Sequence, residues 1–181
     1  YITFTAVTAP SRGANGISAF IMPTSTPGFR VGKREKKMGL RGSDTVEVVF
    51  EDVFVAEENL LGDPTSGFKA FMKTLTGGRI SIGALALGVA QGAFEQSLKF
   101  SKVREQFGQP IANFQAIQFM LADMATELEV AKTMLYRVAW MKDQHVKHSK
   151  ESAMIKLYAA EMAHRVCHKA LQIHGGYGYM K

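Results

Sequence analysis

The sequence contains a single cysteine, Cys167, which excludes an internal disulfide. It also lacks a long hydrophobic run. The longest, ISIGALALGVA at residues 80–90, is well short of the roughly 18 residues that a membrane-spanning helix requires. No signal-like segment opens the chain. These absences favour an intracellular protein, with the cytoplasm as the default location and the mitochondrial matrix as the alternative for a eukaryotic source.

What is present is the composition of an ordinary globular protein, with 181 residues of which 46% are hydrophobic. The formal net charge is +6. A positive balance attracts an anionic ligand such as a phosphate-rich cofactor, and it attracts nucleic acid equally well. Charge alone therefore does not choose between these two classes of partner.

Residues 1–62 are rich in β-branched and aromatic residues with partial alternation of apolar and polar positions. Four segments have this pattern: YITFTAVT, ISAFIMP, FRVGK and TVEVVFEDVFV. Glycine and proline in SRGANG and TSTPG predict connecting turns between them. Four strands make an incomplete sheet with unpaired edges. We therefore interpret residues 1–62 as the end of a β domain that begins upstream.

Residues 63–181 have the period of helices and form a second predicted domain. One apolar stripe, with steps of three and four residues, predicts a long helix in a bundle core. Its members are Phe114, Ile117, Leu121, Met124, Leu128, Ala131, Leu135 and Val138.

Helix limits in the second domain follow from capping residues and from glycine. We expect a short leading helix over residues 67–75, a long helix over residues 79–106, and N-caps at Asn113 and Ser149 for two further helices. Ala84, Gly88 and Gly92 lie at steps of four and predict close approach of another helix. The predicted fold class is α+β: a partial antiparallel β domain followed by an antiparallel long-helix bundle of the four-helix type, whose last helix is missing.

The segment KVREQFGQPIANFQ connects two predicted helices. Arg104 lies in the last turn of one of them, Gly108 ends it and Pro110 prevents its resumption. A cation that stabilises a helix C-terminus explains this pattern without a ligand. The alternative is that the guanidinium binds a pyrophosphate, with Phe107 and Gln115 beside a flat polar ligand.

The closing QIHGGYGY has a similar pair of interpretations. One glycine after a helix is a common C-terminal signal. Two in succession, Gly175 and Gly176, with a third at Gly178, suggest backbone that lies close to something a Cβ would block.

A metal site in HRVCHKALQIH is incomplete. His164 and His168 have the i, i+4 spacing, but Cys167 is off that line and no carboxylate or second cysteine completes a tetrahedral set. The sequence contains neither a Ser-His-Asp pattern nor a G-x-x-x-x-G-K phosphate loop. No metal is predicted.

In their order along the chain, three segments resemble the acyl-CoA dehydrogenase family, most closely its short-chain, butyryl-CoA-type bacterial members. They are residues 20–62 (FIMPTSTPGFRVGKREKKMGLRGSDTVEVVFEDVFVAEENLLG), residues 77–124 (GGRISIGALALGVAQGAFEQSLKFSKVREQFGQPIANFQAIQFMLADM) and residues 171–181 (LQIHGGYGYMK). The resemblance implies the end of a middle β domain followed by most of a C-terminal four-helix bundle, without the family's N-terminal helical domain.

The resemblance also implies roles for the ambiguous residues. In the family the arginine of R-x-x-F-G, here Arg104, contacts the pyrophosphate of an FAD bound mainly by a neighbouring subunit, with Phe107 and Gln115 beside the cofactor. The Q-x-x-G-G segment packs on the adenosine part of the same FAD, which implies cofactor contacts for Gln172, Gly175 and Gly176.

A further stretch matches the lining of the family's acyl-CoA pocket: Thr76, Gly77, Gly78 and Arg79. Relatives often carry aspartate where this chain has Thr76. Most members place the catalytic base in a glutamate-glycine-threonine stretch beyond the segment that ends this sequence, and a minority place it at the position of Gly78. No catalytic residue is therefore assigned in this chain.

The activity implied is FAD-dependent dehydrogenation of a short- or medium-chain acyl-CoA to a trans-2-enoyl-CoA, the type of step found in fatty acid β-oxidation. The implied partners are the acyl-CoA substrate, an electron-transfer flavoprotein and further copies of the chain arranged as a dimer of dimers. Two alternatives stay open. They are an acyl-CoA oxidase and a non-catalytic DNA-binding relative, although the scattered lysines make nucleic acid the weaker expectation.

Overall fold

The β-branched and aromatic segments form two antiparallel hairpins in the computed structural model, which describes residues 1–180. Strand β1 (Ile2–Val7) pairs with β2 (Ile17–Met22), and β3 (Phe29–Arg34) pairs with β4 (Val46–Phe50). Alternate residues of β1 are partly buried and exposed, as the period of two in the sequence requires. The four predicted strands are therefore confirmed, as two two-stranded ladders.

Aromatic rings connect the two ladders. The ring centroids of Phe4 and Phe50 are 4.9 Å apart, and Phe29 meets Phe50 edge-on at 5.3 Å.

The last predicted strand was too long, because β4 ends at Phe50 and Asp52 has a positive φ of 50° that turns the chain.

The long helix α1 (Gly67–Val103) corrects the prediction of a short leading helix followed by a separate long one. Gly77 and Gly78 lie inside it, although each glycine costs about 1 kcal/mol of helix propensity. Packing along the rest of the helix outweighs this local preference. The chain divides into two compact units, Tyr1–Lys73 and one that begins at Thr74, while the domain boundary at residue 62 stays a prediction.

Two further helices, α2 (Gln115–Asp143) and α3 (Ser149–His174), complete the second unit. α2 and α3 are antiparallel, because Glu127 contacts Arg165 while Asp123, one turn earlier, contacts Lys169, one turn later. The predicted α+β class with a bundle of long helices is confirmed. The N-cap positions are Phe114 and His148, each one residue away from the prediction, and neither side chain caps its helix by a hydrogen bond to the backbone.

The apolar stripe of α2 faces the bundle core as predicted. Its last five members, from Met124 to Val138, are buried, and they pack with buried residues of α1 and α3. The core residues contributed by the partner helices are Ala90, Ile155, Ala159, Met162, Val166, Ala170 and Ile173.

The prediction of close helix approach at Ala84, Gly88 and Gly92 is wrong for the described part of the chain. All three residues are exposed, and no described atom lies within 4 Å of a Cβ built at Gly88 or Gly92. The buried face of α1 carries other small residues. Ser97 and Ser101 are fully buried there, and their hydroxyls donate to the carbonyls of Ala93 and Leu98 at 2.8 and 2.9 Å.

Candidate functional site

A tight hairpin follows α1 and fixes the main chain around Arg104. The Arg104 amide donates to the carbonyl of Phe100 at 2.9 Å, so the residue lies one position beyond the last helical residue rather than within the last turn. Its carbonyl accepts from the amide of Ile111 at 2.8 Å. Two-residue strands, β5 (Glu105–Gln106) and β6 (Gln109–Pro110), pair between these bonds.

The tip of this hairpin is strained. Phe107 and Gly108 have φ values of 54° and 79°, as the central residues of a type I′ turn do. Glycine adopts such a φ freely, but an aromatic residue pays of order 1–3 kcal/mol. Phe107 is nevertheless 93% exposed, and the nearest ring, that of Phe114, meets it edge-on at 6.2 Å. A strained, exposed aromatic residue is typical of a binding surface.

The second half of the site is the end of α3. Gly175 ends the helix with a φ of 56°, and its amide donates to the carbonyl of Gln172. A 3-10 turn, Gly175–Gly178, then folds back along the helix. A Cβ on Gly178 would lie 2.6 Å from the carbonyl oxygen of Leu171, so this return requires glycine.

These two segments face each other across a cleft of about 490 Å³. Among residues 1–180, no acidic side chain lines the cleft, and Arg104 is the only lining residue with a permanent positive charge. The walls are mostly aromatic and aliphatic. The lining consists of Phe100, Arg104, Gln106, Ile111, Ile173, His174, Gly175, Gly176, Tyr177 and Met180.

Aromatic rings join the two helix ends. Phe100 stacks on His174 with centroids 4.5 Å apart, and it meets the edge of Tyr177 at 6.0 Å. The guanidinium carbon of Arg104 lies 5.6 Å from the centroid of the Tyr177 ring. His174 Nδ1 lies 2.8 Å from the carbonyl oxygen of Ala170 and must donate its proton there, because a carbonyl only accepts.

The cleft brings together three of the six residues predicted to bind cofactor: Arg104, Gly175 and Gly176. The other three, Phe107, Gln115 and Gln172, are exposed and do not line it. Gln115 is the first residue of α2, and Gln172 lies in the last turn of α3.

The residues predicted to contact substrate lie elsewhere. Thr76, Gly77, Gly78 and Arg79 are inside α1 rather than before it. At 1.5 Å per residue, Arg79 is about 38 Å from Arg104 along the helix axis. The two predicted groups therefore belong to two separate places on the molecule.

Sequence reasoning missed the aromatic part of the lining. Phe100 precedes Arg104 by one helical turn, so the i, i+4 spacing could have indicated it. Nothing in the local sequence connects Phe100 with His174 and Tyr177, which are more than seventy residues away. The missed lining residues are Phe100, Gln106, Ile111, Ile173, His174, Tyr177 and Met180.

The histidine and cysteine pattern on α3 has no counterpart in a ligand cluster. Among residues 1–180, no group of three or more metal-binding side chains is gathered. Cys167 is partly buried, and burial raises the pKa of its thiol. Within the same residues, no helix is long and apolar enough to span a membrane.

The cleft fits the chemistry of an FAD. A diphosphate needs a cation, and the Arg104 guanidinium forms no ion pair with a described carboxylate. A flat ring needs apolar faces and bare backbone. A Cβ built on Gly176 would have no described atom within 4 Å, so the fold does not require glycine there.

Along the chain, a β unit precedes a bundle of long helices, so the protein is of the α+β class. Two sequence families match the chain: "Acyl-CoA dehydrogenase, middle domain" over residues 1–53 and "Acyl-CoA dehydrogenase, C-terminal domain" over residues 65–181. The chain belongs to the acyl-CoA dehydrogenase family.

Similar proteins agree with this assignment. Probable acyl-CoA dehydrogenase YngJ of Bacillus subtilis is 56% identical over 181 residues, which are 99% of this chain and 48% of that protein. The caffeyl-CoA reductase-Etf complex subunit CarC of Acetobacterium woodii is 49% identical over 97% of this chain and 46% of its own length. Butyryl-CoA dehydrogenase from Megasphaera elsdenii superposes with a TM-score of 0.94 at 46% identity, over 97% of this chain and 46% of that one. The chain thus spans about half the length of these relatives.

Proposed function

We propose that the full-length protein is an FAD-dependent acyl-CoA dehydrogenase that converts a short- or medium-chain acyl-CoA to the trans-2-enoyl-CoA. Family membership and the cleft at the ends of α1 and α3 support this proposal. The observation that carries it is the convergence of Arg104 with Gly175 and Gly176, from two distant parts of the sequence, on one cleft whose lining within residues 1–180 has no acidic side chain.

Within this chain, Arg104 binds the FAD diphosphate and offsets its charge. The ring of Phe100 provides an apolar wall for the flat part of the cofactor. Gly176 leaves room for the ligand to approach the backbone. Phe107, Gln115 and Gln172 are exposed and lie outside the lining of this cleft, and we propose them as additional cofactor contacts.

The distance of about 38 Å between Arg79 and Arg104 supports a site shared between copies of the chain. Thr76, Gly77, Gly78 and Arg79 would contact the acyl-CoA of one active site, while Arg104 binds the FAD of another. A chain that contributes to two sites needs a second copy, so we propose a homo-oligomer arranged as a dimer of dimers.

Bound FAD supplies the acceptor for the hydride that leaves the β-carbon of the acyl-CoA. The α-proton must go to a base. None of the residues that we propose to contact acyl-CoA or FAD in this chain is a carboxylate, so their proposed role is binding and positioning. An electron-transfer flavoprotein is the proposed electron acceptor, supported by the similarity to CarC, which is named as part of an Etf complex.

Purified full-length protein should absorb as a flavoprotein and reduce an artificial electron acceptor when butyryl-CoA is added. Arg104→Ala should weaken FAD binding while the melting temperature of the flavin-free protein stays unchanged, because Arg104 is exposed. Lys102→Ala is the matched control, since it removes the same charge from the last turn of α1 outside the cleft. Unchanged flavin content in Arg104→Ala would contradict the assignment.

The alternatives give different outcomes in the same preparation. An oxidase would consume oxygen and release hydrogen peroxide without an added acceptor. A colourless protein that retards DNA at low salt would instead support the nucleic-acid-binding alternative.

A further inference from the structure

The side chain of Arg104 makes a cation–π contact with one residue of the described chain. Its main chain is held by hydrogen bonds to Phe100 and Ile111, but its guanidinium forms no ion pair or side-chain hydrogen bond within residues 1–180. What it does contact is the face of the Tyr177 ring, 5.6 Å from the ring centroid. Within residues 1–180, the Tyr177 ring is therefore the one partner that the guanidinium has through an ion pair, a hydrogen bond or a cation–π contact.

Tyr177 is itself held from two sides. Its 3-10 turn is closed by the Tyr179 amide, which donates to the carbonyl of Gly176 at 3.1 Å, and by the close approach of Gly178 to Leu171. The ring edge rests on Phe100 at 6.0 Å. Tyr177 is 64% exposed and lines the cleft, and its ring packs against that of Phe100.

Phe100 connects this contact to the end of the other helix. It lies in the last turn of α1, its carbonyl accepts a hydrogen bond from the Arg104 amide, and its ring stacks on His174 at 4.5 Å. His174 is anchored by its Nδ1 proton on Ala170. The rings of His174, Phe100 and Tyr177 form a continuous aromatic ladder from α3 to the guanidinium.

We propose that Tyr177 is a positioning residue, whose ring face, held by the aromatic ladder, orients the Arg104 guanidinium for the diphosphate of the cofactor. The inference rests on the proposed function, because it takes FAD as the ligand of the cleft. Tyr177 acts through Arg104 and contributes no charge of its own.

The test is a double-mutant cycle on the full-length protein, with FAD affinity measured by titration of the flavin-free form. Tyr177→Leu removes the ring face but keeps apolar volume. An exposed cation–π contact of about 0.5–1 kcal/mol corresponds to FAD binding weakened about 2- to 5-fold. Tyr177→Phe keeps the ring face and should retain most of the affinity. In an Arg104→Ala background, Tyr177→Leu should cause no further loss, because there is no guanidinium left to orient.

The outcomes separate the two proposals. If Tyr177→Leu weakens FAD binding equally with and without Arg104, Tyr177 acts on the ligand directly or through the fold, and the positioning role is wrong while the proposed function stands. Unchanged affinity in Tyr177→Leu also refutes the positioning role. Full affinity in Arg104→Ala refutes the role of Arg104 and this inference with it, while the proposed activity stands. Wild-type protein without flavin overturns both the proposed function and this inference. Melting curves of the flavin-free variants check that each is folded.

Discussion

The three glycines at the end of α3 have different reasons to be glycine, and this difference gives a sharp prediction. Gly175 has a positive φ of 56°, which would cost another residue of order 1–3 kcal/mol. Gly178 lies so close to Leu171 that a Cβ would meet backbone atoms at 2.6, 3.2 and 3.3 Å. Gly176 has neither constraint, since its φ is not positive and no described atom lies within 4 Å of the place that a Cβ would occupy.

We therefore expect Gly176→Ala to be neutral or to stabilise the flavin-free protein by about 0.4–1 kcal/mol, since alanine restricts the unfolded chain. The same methyl group should obstruct a cofactor that lies against this backbone. Overpacking of a close contact costs about 1–3 kcal/mol, which corresponds to FAD binding weakened about 5- to 150-fold. Gly178→Ala should instead act mainly on the fold and lower the free energy of unfolding of the flavin-free protein.

The assay is thermal unfolding with and without FAD, combined with a flavin titration. Bound ligand raises the melting temperature by an amount that depends on its affinity, so the flavin-free transition reports the fold and the difference between the two reports binding. Gly176→Ala should melt at or above the wild-type temperature without FAD and should gain less from added FAD. Wild-type FAD affinity in this variant would refute the reasoning that the ligand requires the glycine.

Three further predictions concern the helical unit. Met162→Ala removes a fully buried side chain and should lower the free energy of unfolding by about 2–5 kcal/mol in denaturant titrations, a larger loss than any surface variant gives. Glu127→Gln weakens the ion pairs with Arg165 and Lys169 and should lower the free energy of unfolding by at most about 1 kcal/mol, because these groups are partly exposed. High salt should reduce this difference in stability between the variant and the wild type. A difference that does not depend on salt would contradict an ionic origin. Burial raises the pKa of the Cys167 thiol, so the rate of its alkylation should rise at a higher pH in the folded protein than in the unfolded chain. Between the pKa of the unfolded chain and that of the folded protein, this group should make the fold less stable as pH rises. Equal pH profiles of alkylation for the two states would exclude the shift.

Part of the candidate site could be predicted from the sequence, because some of its signals are local. Arg104 at a helix end and the glycines at residues 175 and 176 are visible as short motifs. Their convergence on one cleft, and the presence of Phe100 and Tyr177 in its wall, depend on the packing of α1 against α3. A pattern within one segment carries no information about which distant segment lies beside it.

The fold shows the same limit at α1. Glycines at residues 77 and 78 indicate a break by propensity, but the helix continues through them. Small residues at Ala84, Gly88 and Gly92 indicate a packing face, but in the described chain the helix buries another face, which includes Ala90 and Ser97. α1 carries apolar or small residues on more than one side, so its periodicity does not select the buried one.

By itself the sequence determined the four strands, the core stripe of α2, the α+β class and the motifs that identify the family. Each of these depends on residues close together in the chain, where a period of two or of 3.6 fixes which side chains share a face. The tertiary structure alone decided that α1 is continuous, which of its faces is buried, and that Arg104 rests on Tyr177. These outcomes depend on contacts between residues far apart in the chain, whose energies exceed the local preferences of about 1 kcal/mol that the sequence displays.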